Sequence, residues 1–98
     1  MADKTEFGIL VDSTDEEFIK HCEGKDLGYV SSLRNHIAGA YQTFVVMKDE
    51  LVKKIKNEGL SEDSEEFNTV KGIYAEMMKL EHKATLCVAI IKERSLKD

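Results

Sequence analysis

The 98-residue chain contains no proline and no tryptophan, and its two cysteines, Cys22 and Cys87, stand 65 positions apart. Without proline, nothing in the sequence forces a helix to stop, and the glycines carry the punctuation. Lone cysteines without CxxC spacing lack the pattern of a zinc or dithiol site and read as reduced, buried thiols. Aromatic residues make up only 7% of the chain, and no cluster of Lys and Arg is interleaved with them. That removes the cation-and-stacking footprint by which nucleic acid is bound. The longest strongly apolar run, residues 84–91, is far short of the roughly 20 residues that cross a bilayer. The first six residues lack the basic and apolar regions of a signal peptide. The expected location is therefore the cytoplasm, with no membrane contact.

Catalytic signatures are missing as well. There is no Gly-x-Ser-x-Gly, no Walker A and no Gly-x-Gly-x-x-Gly. His21 and Cys22 are neighbours, and neighbouring helical side chains diverge by about 100°, so they form no Cys-His pair. A ferritin-like metal site needs Glu-x-x-His on one helix face. Here Glu81 and His82 are adjacent, and Lys79 stands three residues before His82. The expectation is a protein that is not an enzyme and holds no metal or other cofactor.

What is present is 42% apolar residues and a net charge of −5, the composition of one small globular domain spanning residues 1–98. The charge is uneven. Residues 1–27 carry 3 basic and 8 acidic side chains, residues 28–60 carry 5 and 3, and residues 61–98 carry 6 and 8. Residues 1–27 thus form an acidic arm ahead of the remaining chain.

Residues 28–98 read as a helical hairpin. Val30, Leu33, Ile37, Ala40, Phe44, Met47 and Leu51 keep an unbroken three-four spacing. Val70, Tyr74, Met77, Glu81, Ala84, Val88 and Ile91 do the same, and such spacing is the seam of a helix packed lengthwise on another. Between them, Gly59 follows basic residues 53, 54 and 56, and Ser61 precedes acids 62, 63, 65 and 66. This is a glycine-capped helix end followed by a serine-capped helix start, with charges that complement both dipoles. Pairing the two seams residue by residue gives numbers that always add to 121, so two independent patterns register without a gap. Helices of about 28–58 and 62–95 follow.

Ahead of the hairpin, residues 13–17 offer two overlapping capping boxes before Phe18, Ile19 and Cys22, which predicts a short helix from about 14 to 23. Residues 7–11 form a short apolar run, either a strand or a tether. The fold class is all-α, a short helix and then a long antiparallel hairpin. A competing α+β arrangement would pair residues 84–91 with 7–11.

Each long helix carries more apolar surface than one seam can use. Ile73, Leu80 and Cys87 extend the second stripe, and Tyr41, Val45, Val46, Val52 and Ile55 broaden the first. A helix that is apolar on several faces must be covered on several faces. A helix of two or three turns is too short to sheathe a hairpin of about 45 Å, so a second copy is expected to complete a homo-oligomeric bundle.

Glu81 stands out as a carboxylate in a seam, opposite Ala40, with His36 and Tyr41 as candidate partners. It is either a perturbed acid or a residue at the edge of a slightly rotated seam. Residues 38–40 and Gly72 make smooth patches that admit another backbone or a flat ligand. Arg34, His36 and Tyr41 lie near the first patch, and Tyr74 offers stacking surface. Asp12, Asp15, Glu16 and Glu17 form an acidic surface suited to steering a basic protein partner.

The first functional expectation is a homo-oligomeric, non-catalytic module that binds or inhibits another protein. A phosphate-mimicking acidic decoy is weaker, because lysines are spread along both long helices. The short helix ahead of a long hairpin, together with the residues from Leu80 and Glu81 through Ala89 to Ile91, resembles small phage proteins that oligomerise and sequester cyclic-oligonucleotide signals. This likeness implies an alternative: an oligomer holding an anionic, nucleotide-like ligand between subunits, with Arg34, lysines and tyrosines as its contacts.

Overall fold

The computed structural model describes residues 10–97. Among the described residues, a helical stretch at 10–12 is followed by three helices: α1 (Asp15–Glu23), α2 (Leu27–Glu58) and α3 (Glu65–Lys97). Residues 84–91 are helical, and so are residues 10–12. Among the described residues no strand is present, which overturns the α+β alternative; residues 7–9 of the proposed strand lie outside the described residues. The helices of the hairpin match the sequence expectation to within three residues at each end.

Local chemistry sets each boundary. Thr14 caps α1: its hydroxyl accepts from the Glu17 amide at 3.1 Å while the Glu17 carboxylate accepts from the Thr14 amide at 3.0 Å. Asp26 caps α2 by accepting from the Tyr29 amide at 2.8 Å. At the far end, Gly59 adopts φ 62° and ψ 38°, a left-handed conformation in which a side chain would crowd the backbone. The Leu60 amide then donates back to the Ile55 carbonyl at 3.0 Å, the long bond of a Schellman ending.

The next helix begins later than expected. The Ser61 hydroxyl accepts from the Asp63 amide at 3.3 Å, bending the chain, and it is Ser64 that caps α3 by accepting from the Phe67 amide at 3.1 Å. A serine that satisfies an amide two residues on makes a turn, and the helix waits for the next cap.

Helices α2 and α3 pack along their length as an antiparallel pair. Their register is read directly from two contacts. Lys54 meets Glu66 at 3.3 Å, and the Lys48 ammonium sits 5.9 Å from the Tyr74 ring centre. Those residue numbers add to 120 and 122, on either side of 121.

The inward stripe of α3 differs from the expected seam. Val70, Ile73, Met77, Leu80 and Cys87 are buried, whereas Tyr74 and Glu81 are exposed. Turning the helix by a fraction of a turn buries three more apolar side chains and leaves a carboxylate in water, avoiding an unpaired buried charge. Glu81 is therefore an exposed residue at the edge of the seam, as the rotated-seam alternative expects.

Helix α1 runs alongside α3 and completes a core of Val11, Phe18, Cys22, Val30, Leu33, Ile37, Leu80 and Cys87. This core fills only the half of the hairpin nearest the chain ends. Molecular extents are 55 × 32 × 19 Å, and the smallest is less than two helix diameters.

Candidate functional site

The two flanks of the hairpin differ in chemistry. On one, α3 grips α1 and the turn before it with cations. Lys83, 6% exposed, donates to the Ser13 carbonyl at 2.7 Å, lies 3.6 Å from the Asp15 carboxylate and covers the Phe18 ring at 5.7 Å from its centre. The His82 ring donates to both Asp15 oxygens at 2.9 and 2.8 Å. Lys79 pairs with Asp12 at 3.3 Å. At the other end of α1, Arg94 forks its two terminal nitrogens onto the Cys22 and Lys25 carbonyls, each at 2.6 Å. A guanidinium at the carbonyls of a helix C-terminus adds a charged donor to them and complements the dipole.

Three of the four acidic arm residues are consequently engaged inside the chain: Asp12 by Lys79, Asp15 by His82 and Lys83, and Glu17 by its cap. The hydrogen bond from His82, reinforced by the charges of His82 and Lys83, holds the Asp15 carboxyl below its ordinary value. Hydrogen bonds from the Thr14 backbone and then its hydroxyl do the same for Glu17. Of the predicted acidic surface, Glu16 stands outside these contacts.

The opposite flank is apolar and grooved. One hollow of about 300 Å³ is lined by Arg34, Ile37, Ala38, Tyr41, Gln42, Leu80, Glu81 and Ala84. A second, of about 120 Å³, is lined by Tyr41, Tyr74, Met77, Met78 and Glu81. A third, of about 430 Å³, lies between Ser31, Arg34, Asn35, Val88, Ile91 and Lys92. Shared residues join the three: Arg34 borders the first and third, and Tyr41 and Glu81 border the first and second.

The structure thus brings Arg34, Tyr41, Tyr74 and Glu81 onto one flank. His36 lines none of these hollows. Two residues from Ala38 means about 200° of helix, which points His36 away from the groove. Arg34 and Glu81 share the central hollow, yet among the described residues neither has an ion-pair partner. That contrasts with the cations gripping α1.

Beyond α1, apolar side chains face water. Val46, Met47, Tyr74 and Met78 are 52%, 44%, 47% and 71% exposed. An added Cβ at Gly39 or Gly72 would meet nothing within 4 Å, so close packing inside the chain does not account for either glycine.

Cys22 and Cys87 are free and buried. Burial, with a smaller push from Cys22, raises the Cys87 thiol to about 11. Burial also raises Cys22. Both are thiols at neutral pH, in the state least suited to nucleophilic attack or metal ligation. Among the described residues no three His, Cys, Asp or Glu side chains gather to hold a metal ion, and no helix is long and apolar enough to cross a membrane.

Sequence reasoning passed over Lys83 and Arg94. A signal existed for the first, since Lys83 falls three residues after Leu80 and four before Cys87, on the buried stripe itself. Compared with known proteins, the chain matches no family model, no curated protein and no solved structure.

Proposed function

We propose that this protein is a non-catalytic, homo-oligomeric helical module whose apolar flank and distal hairpin engage other protein surfaces, beginning with its own copies. The observation that carries this reading is the uncovered apolar surface beyond α1: Val46, Met47, Tyr74 and Met78 lie in water, at about 25 cal/mol for each Å² left exposed. The engagement of Asp12, Asp15 and Glu17 within the chain is the reason this reading favours the apolar side over the acidic arm. Light scattering at micromolar concentration tests the proposal. The expected mass is a multiple of 11.1 kDa. A monomer persisting at high micromolar concentration overturns it.

A second reading is supported by the hollow between Ser31, Arg34, Asn35 and Lys92, which combines two cations with hydrogen-bonding side chains and no carboxylate. In that reading the oligomer sequesters a small anionic, nucleotide-like molecule. Native mass spectrometry of freshly purified protein separates the two: a copurified nucleotide mass supports sequestration, and a clean oligomer supports the protein-binding module.

A further inference from the structure

The grooved flank carries charges of both signs, Arg34 and Glu81, in its central hollow. The hairpin register places Glu81 level with residue 40 of α2, six residues from Arg34, or about 9 Å along the axis. Midway between them, level with residue 37, lie Ala84 and Ala38, the smallest side chains lining the central hollow. Around α3, Glu81 stands roughly half a turn from Lys83 and Arg94, so the flank it borders is not the one that α1 occupies.

We propose that a second copy of this chain docks on this flank in an antiparallel, two-fold arrangement whose axis passes beside Ala38 and Ala84, each Arg34 facing the Glu81 of the other copy. A two-fold axis at that level carries Arg34 onto the height of Glu81 and the reverse, producing two equivalent ion pairs from two charges that have no ionic partner among the described residues. The alanines at the crossing let the helices approach closely. Tyr41 and the surrounding apolar walls of both grooves then exclude water from the pairs, where charge attraction is stronger. The same operation brings Lys92 of one copy near the level of Tyr74 of the other, a half-exposed ring that Lys48 of its own chain already approaches at 5.9 Å. About 20 residues of each hairpin overlap, roughly 30 Å by 20 Å. That footprint is of the order of the ~800 Å² per partner found in stable interfaces.

The inference rests on the homo-oligomer reading and adds its geometry. Its test is charge reversal read by sedimentation equilibrium, with far-UV circular dichroism confirming that each variant is helical. Arg34→Glu and Glu81→Arg are each expected to weaken association at least tenfold, and the double reversal R34E/E81R to recover most of it. Ala38→Cys, close to the axis, is expected to cross-link two chains under mild added oxidant, since the native thiols are buried. A wild-type oligomer that is indifferent to both single reversals and gives no Ala38→Cys cross-link overturns this geometry and leaves the oligomer reading standing. A monomeric wild type overturns both.

Discussion

Lys83 shows how one residue ties distant parts of a small fold together. Its ammonium meets a backbone carbonyl, a carboxylate and an aromatic face at once, which is the compensation a cation needs when little of it touches water. Asp15 and Glu17 supply the titratable side of the same attachment. Both carboxyls sit below their ordinary values when folded, so the stability they add is fully present above the usual carboxylate range near pH 4 and is lost as pH falls through their lower folded values. The D15N/E17Q double variant is therefore expected to show a flatter fall of the urea midpoint between pH 5 and pH 3 than the wild type. Equal slopes would refute the assignment. The acids were visible in the sequence as a charged arm, but their partners were not, because Asp15 and His82 are separated by 67 residues and no local pattern links them.

Helices are where the sequence speaks most clearly. The three-four spacing and the Gly59 cap announced the hairpin, because both are set by chain-local geometry. Rotation of α3 about its own axis was harder to read. Tyr74 and Ile73, or Glu81 and Leu80, are adjacent positions that fit the same period, and the choice between them falls to the cost of burying a carboxylate. The start of α3 differs from the sequence expectation for a similar reason, since Ser61 and Ser64 are equally good caps until one of them closes a turn. Two glycines illustrate the energetics. Gly59→Ala is expected to destabilise by about 1 kcal/mol, because alanine is strained at positive φ. Gly72→Ala, in a helix interior with open space around it, is expected to stabilise by roughly 0.5–1 kcal/mol. Urea denaturation of the two variants checks both signs.

At the scale of the whole molecule, whose longest extent is 55 Å, a hairpin of 32- and 33-residue helices is braced, among the described residues, by a nine-residue helix at one end. The proposed association is linked to folding, so the thermal midpoint is expected to rise as protein concentration is raised. A midpoint unchanged over a hundredfold range of concentration would mean that the uncovered surface adds nothing to stability. The apolar excess on which the proposed association rests was legible in composition and spacing. Which flank remains available was not, because it depends on where α1 docks.

That docking fixes a length. Lys79, Lys83 and Arg94 hold α1 at both of its ends, the two grips lying about 16 Å apart along α3 between Lys83 and Arg94. A spacer clamped at each terminus behaves as a gauge. Adding or removing one residue inside α1 would swing Phe18 and Cys22 out of line by about 100° even where every clamp still closed. Length changes in this segment therefore disturb the core more than side-chain swaps do, whereas the Gly59 bend lies outside the core that α1 completes and tolerates added length better.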